Sequence, residues 1–65
     1  MNGENILLKM RITTAGGPAD VVCTSEDRMV YCQIRDVTTG RELANFIIRE
    51  DLVAAIPEII KLYVG

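Results

Sequence analysis

The chain has 65 residues, a hydrophobic fraction of 49% and a formal net charge of −2. This length allows one domain, residues 1–65, and the hydrophobic fraction argues against a disordered chain. The negative net charge gives no general affinity for polyanions, and no apolar run is long enough to span a membrane. Residues 1–5 lack the features of a secretory signal, so we expect a cytoplasmic protein.

The first predicted element is a strand over residues 6–14, because apolar and polar side chains alternate there with a period of two. The glycines and proline of residues 15–20 predict a turn. A short β-branched strand is predicted over residues 20–24, and the polar residues 25–28 read as a tight connection.

The alternation returns in residues 29–37 and 42–49, which predict a third and a fourth strand. Between them, residues 38–41 predict a hairpin turn, with Gly40 available for the left-handed conformation.

The tail changes to the period of a helix, for which Asp51 is the predicted N-cap. Pro57 inside a continuous helix would cost about 3 kcal/mol. We therefore expect a helical turn over residues 51–55, followed by a second helix with Pro57 at its first position.

These elements predict an α+β fold, ββββα, in which a small four-stranded and mostly antiparallel sheet carries one C-terminal helix on one face. The other face then has no covering element. Strand parity assigns to it Leu7, Lys9, Arg11, Thr13, Tyr31, Gln33, Arg35, Asn45, Ile47 and Arg49. The charged members of this set are all basic, and the acidic residues are expected at turns and in the tail. The sequence thus predicts a basic sheet face on an acidic chain.

The residues predicted to contact an anionic partner are Lys9, Arg11, Tyr31, Gln33, Arg35, Asn45 and Arg49. Lysine and arginine contact phosphates and a tyrosine ring stacks on a base, so single-stranded nucleic acid is the predicted partner. Two alternatives stay open. The face could be charged only for solubility. It could also be a protein contact, either a homodimer or an interaction or inhibitor module of phage or mobile-element type that uses the face or an edge.

Residues for catalysis are sparse. The chain has no histidine, so the usual base of a nucleophilic triad is missing, and we expect a non-enzymatic protein without a cofactor. Cys23 and Cys32 are nine positions apart, which is not a zinc-ligand pattern. We expect both to be buried as diagonal neighbours about 7–8 Å apart, too far for a disulfide without movement.

The hairpin from Met29 to Leu43, closing on Ile48-Arg49-Glu50, resembles the positive-cofactor-four family of transcriptional coactivators. The shared progression is Tyr31, Arg35-Asp36, Gly40-Arg41 and Ile48-Arg49-Glu50. The resemblance implies a ββββα homodimer that binds single-stranded DNA on its sheet.

Overall fold

The computed structural model describes residues 5–64; residues 1–4, including the acidic Glu4, and Gly65 lie outside this range. Four strands precede a 3-10 helix and an α-helix, which confirms the predicted ββββα fold. The elements are β1 (Ile6–Thr14), β2 (Gly17–Glu26), β3 (Met29–Asp36), β4 (Glu42–Arg49), the 3-10 helix (Glu50–Ala55) and α1 (Ile56–Val64). The strands form one antiparallel sheet in the order β1-β2-β3-β4.

The inner face of the sheet, which packs against the tail, carries the core. Its buried members are Ala19, Val21, Cys23, Val30, Cys32, Ile34 and Phe46, and the tail adds Ile56 and Ile60. These positions alternate along β2 and β3, because successive strand residues point to opposite faces. At the margin, the Phe46 and Tyr63 rings stack with centroids 5.3 Å apart. Burial on one face only leaves the opposite face to solvent.

The tail contains the predicted break. The 3-10 helix ends at Ala55 and α1 begins at Ile56, so Pro57 is the second residue of α1 and not, as predicted, the first. It still lies in the first turn, where its missing N–H removes no helical hydrogen bond. The prediction that Asp51 is the N-cap is wrong. The residue that precedes the 3-10 helix is Arg49, whose side chain makes no capping hydrogen bond. The helix begins directly after β4, where Glu50 N donates to Arg28 O at 2.9 Å, so Asp51 falls inside it.

Strand β2 is longer at both ends than predicted, since the turn before it contains only Ala15 and Gly16. The Thr14 hydroxyl stabilises this turn by donating to Gly17 O at 2.8 Å and accepting from Gly16 N at 3.1 Å. The predicted turn over residues 15–20 was therefore too long, and Asp20 is the fourth residue of β2 and not, as predicted, its first.

The β2–β3 turn is also shorter than predicted. Only Asp27 and Arg28 lie between the strands, both with positive φ, 52° and 67°. Primed turns of this kind match the twist of a hairpin and usually contain glycine or asparagine. The register places Cys23 directly opposite Cys32, and both thiols are free and buried. The predicted diagonal arrangement of the two cysteines is thus wrong, because the tighter turn shifts the pairing.

Each edge strand contains one bulge. In β1 the register shifts between Ile6 and Leu8, so that Leu7 is the extra residue. In β4 it shifts where Ala44 pairs with Ile34 and Glu42 with Arg35, leaving Leu43 extra. A bulge of one residue reverses the parity of every residue beyond it.

Candidate functional site: the outer face of the sheet

The outer face is the side of the sheet turned away from α1. The Cα atoms span 33 × 28 × 14 Å, and the shortest dimension has room for the sheet and one helical layer. Cross-strand pairing arranges the outer side chains in rows. We name the charge row (Arg11, Asp20, Arg35, Glu42), the middle row (Lys9, Val22, Gln33, Asn45) and the apolar row (Ile6, Thr24, Tyr31, Ile47).

The charge row corrects the expectation of a face with only basic charges. Asp20 pairs with Arg11 on one side and Arg35 on the other, and Arg35 pairs with Glu42. The charges therefore alternate in sign across the four strands. Two features that alternation did not predict explain the acidic residues in this row. Asp20 lies inside the longer β2, and the β4 bulge moves Glu42 from the inner parity to the outer one.

The Arg11–Asp20 pair is the best-defined interaction of the charge row. Arg11 Nε donates to Asp20 Oδ1 at 2.8 Å, and Arg11 Nη2 donates to Asp20 Oδ2 at 3.4 Å. The hydrogen bond from Arg11 lowers the pKa of Asp20 below its usual value, and the same contact raises the pKa of Arg11. Arg11 thus already has a carboxylate partner within the chain.

Glu42 organises the other end of this region. Its two carboxylate oxygens accept hydrogen bonds from Gln33 Nε2 at 3.3 Å and from Asn45 Nδ2 at 2.6 Å. Arg35 Nη1 instead donates to Gly40 O at 3.0 Å. Arg49 Nη2 lies 2.8 Å from Asp51 Oδ2. Gln33, Asn45 and Arg49 therefore join Arg11 as predicted contact residues that have acidic partners in the folded chain.

All seven predicted contact residues belong to outer positions of β1, β3 and β4, and all are exposed. Within residues 5–64, neither Lys9 nor Arg35 has a carboxylate oxygen within 4.0 Å. Of the predicted residues, these two cations are the best placed to meet an external anion, and the exposed Tyr31, at 38%, offers a ring on which a base could stack.

The apolar row lies at the end of the outer face near the β2–β3 turn. Ile6 is 53% exposed and Ile47 is 58% exposed, at the two edges of the sheet, with Thr24 and Tyr31 between them. Alternation predicted that Leu7 would be the outer residue at this end of β1. The bulge instead pairs Ile6 with Thr24 and so places Ile6 in this row. Aliphatic and aromatic side chains in a line, bordered by charges, are typical of a macromolecular contact.

A second apolar surface lies on the other side of the molecule. A groove of about 320 Å³ runs between β1 and α1 and is lined mainly by Met10, Ile12, Pro57, Ile60 and Val64. Unlike the outer face, it lacks a pattern of charges that would indicate its occupant.

The described part of the chain, residues 5–64, also bears on membranes and metals. Neither helix within residues 5–64 combines the length and the apolar character needed to cross a membrane. Over the same residues, no three His, Cys, Asp or Glu side chains lie where they could hold one metal ion.

Comparison with protein-family models, with curated proteins and with solved structures gives no match for this chain.

Proposed function

We propose that this chain is a non-enzymatic interaction module that binds a protein partner through the outer face of its sheet. The observation that carries the proposal is the alternation of charge in the row Arg11, Asp20, Arg35 and Glu42. A surface with both signs of charge at fixed spacing complements another protein surface, whereas a phosphate backbone presents one sign only. The apolar row, on the far side of the middle row, supplies the area that a partner would remove from water.

A photo-crosslinking experiment tests this proposal. The photoreactive residue p-benzoylphenylalanine would replace Gln33, which is exposed at the centre of the outer face, or Leu62, which is 83% exposed on α1 and serves as the matched control. On illumination in expressing cells, we expect a protein adduct of discrete mass from position 33 and none from position 62. Adding Ile47→Asp should abolish that adduct, because it places a charge in the apolar row. No protein adduct from position 33, or equal adducts from both positions, would refute the proposal.

The predicted function in single-stranded nucleic-acid binding is the second candidate. It is favoured by Lys9 and Arg35, which lack carboxylate partners within residues 5–64, and by the exposed ring of Tyr31. Four phosphate contacts would give a log–log salt slope near −3, whereas two give about −1.4, at about −0.7 per contact on single strands. Arg11 and Arg49 are already paired with Asp20 and Asp51, which leaves Lys9 and Arg35 for phosphates and favours the smaller slope.

Fluorescence anisotropy with a labelled oligothymidine measures this slope. Arg35→Glu should remove most of the binding, while Lys61→Glu on α1 is the matched control and should have little effect. Phosphate contacts are stronger at low salt, so the oligonucleotide should bind at ~50 mM salt. If it fails to bind there, or if both variants bind equally well, this second candidate is wrong.

A further inference from the structure

We propose that the partner of the outer face is a second copy of this chain, packed face to face about a two-fold axis parallel to the strands. This inference rests on the proposed function, because it names the occupant of the same surface. Two sheets packed in this way lie about 10 Å apart with their strands roughly aligned, so the rows of one copy meet the rows of the other.

The charge row is self-complementary under this operation. Rotation about an axis parallel to the strands keeps each row against itself but reverses the order of the strands. Arg11 then faces Glu42 of the second copy, and Asp20 faces its Arg35. A row that reads plus, minus, plus, minus meets its own reverse, so each of the four contacts joins opposite charges. An unbroken basic row would instead repel its copy.

The apolar row is matched by the same operation. Ile6 meets Ile47 of the second copy, and Thr24 meets its Tyr31. The two isoleucines are the most exposed members of this row, at 53% and 58%, so the contact covers the apolar side chains that the monomer leaves in water. Each of these contacts occurs twice in the dimer because the interface is isologous.

The middle row distinguishes this axis from the other face-to-face arrangement. With the axis parallel to the strands, Lys9 faces Asn45 of the second copy. The alternative axis lies in the interface plane, perpendicular to the strands and over the middle row. It keeps the strand order, so Lys9 faces Lys9 of the second copy and the charge row faces the apolar row. The pattern of side chains therefore selects the first arrangement.

The area of the outer face is sufficient for a specific dimer. Four strands about 4.8 Å apart and roughly eight residues long at about 3.4 Å each give a face of about 19 by 27 Å, or about 500 Å² per copy. Two copies then bury about 1,000 Å² before side-chain relief is counted, which exceeds most crystal contacts and reaches the lower bound for specific interfaces. A 65-residue chain gains stability from this additional burial, since so short a chain buries little surface alone.

Mass measurement by sedimentation equilibrium tests the dimer, and a charge exchange tests its geometry. The purified chain at ~100 µM should have twice the 7.2 kDa mass of one copy. Arg35→Glu makes Asp20 face a glutamate, and Asp20→Arg makes Arg35 face an arginine. Each variant alone should raise the dimer Kd by about 50-fold, because two contacts change from attraction to repulsion. An equimolar mixture of the two variants should form a heterodimer, since both contacts then join opposite charges again.

Circular dichroism establishes that each variant is folded. If Asp20→Arg fails to fold, Arg11→Glu and Glu42→Arg form the equivalent pair at the outer contact. A wild-type mass of 7.2 kDa at ~100 µM, or folded single variants whose mixture stays monomeric, would overturn the inference. A monomer that still yields an outer-face adduct with another protein overturns the second copy but leaves the proposed function standing. A monomer that binds oligothymidine through Arg35 assigns the face to nucleic acid and overturns both.

Discussion

The opposed cysteines lead to a quantitative prediction of thiol reactivity. Cys23 and Cys32 are 0% and 1% exposed. Burial, together with the neighbouring Cys23 thiol, raises the pKa of Cys32 from 9.0 to about 12, and burial also raises the pKa of Cys23. Because the thiolate is the reactive form, a rise of the pKa of Cys32 from 9.0 to about 12 lowers its thiolate population about a thousandfold at pH 8. Steric exclusion of the reagent adds to this factor, so labelling of Cys32 should be at least a thousandfold slower in the folded chain than in the unfolded one, and labelling of the buried Cys23 should also be slowed.

The assay is the reaction with dithiobis(nitrobenzoic acid) at pH 8, followed with and without ~6 M urea, which unfolds most small domains. Thr39→Cys, in the exposed β3–β4 loop, is the matched control and should react rapidly in the folded protein. If either native cysteine reacts within tenfold of the control rate, the deduced burial is incorrect. The raised pKa of Cys32 also implies a stabilising contribution that is complete below about pH 9.0 and is lost as the pH rises toward 12, and the raised pKa of Cys23 acts in the same direction.

Two further predictions concern the turn and the charge row. Arg28→Gly should raise the free energy of unfolding by about 0.5–1 kcal/mol in urea denaturation, since a left-handed non-glycine residue costs about 1–2 kcal/mol and glycine returns about half of this as chain entropy. Gly40→Ala, at φ 76°, is the opposite control and should lower the free energy of unfolding. An unchanged urea midpoint for Arg28→Gly would contradict the backbone strain at residue 28. Arg11→Gln should raise the pKa of Asp20, measured by NMR titration, because the main cause of its lowering is the hydrogen bond from Arg11. In the wild type, the stabilising contribution of Asp20 is present above its unfolded pKa of about 3.9 and is lost as the pH falls through the lower folded value. An Asp20 that titrates identically in both proteins would show that the pair does not form in solution.

The sequence was sufficient for the elements because their periods are strong. Alternation in β1, β3 and β4 predicted three strands almost to the residue, and the chemistry of Pro57 predicted the division of the tail. The β2–β3 turn was harder to predict, since Asp27 and Arg28 carry no glycine signal for two positive φ angles. The position of that turn also sets the register in which Cys23 lies directly opposite Cys32.

The charges of the outer face could not be predicted from alternation alone. Parity is counted along a strand, so a single extra residue reverses the face of everything beyond it. The Leu43 bulge moved Glu42 to the outer face, and the short β1–β2 turn placed Asp20 between the two cations Arg11 and Arg35. Nothing in a single sequence marks where a leucine will be left unpaired, because bulges depend on the fit between neighbouring strands.

The two bulges have a consequence for how the chain behaves when it is concentrated. Strands β1 and β4 form the open edges of the sheet, where backbone groups of a further copy could pair, and each edge is interrupted near the start of its strand by Leu7 or Leu43. A bulge twists the edge and breaks the run of groups that an added strand would need. Edge-to-edge addition has no natural end and leads to filaments, whereas contact through a face is complete after two copies. The irregular edges thus oppose fibre growth in a small protein with many exposed aliphatic side chains, and replacement of a bulge by a regular ladder would remove that protection.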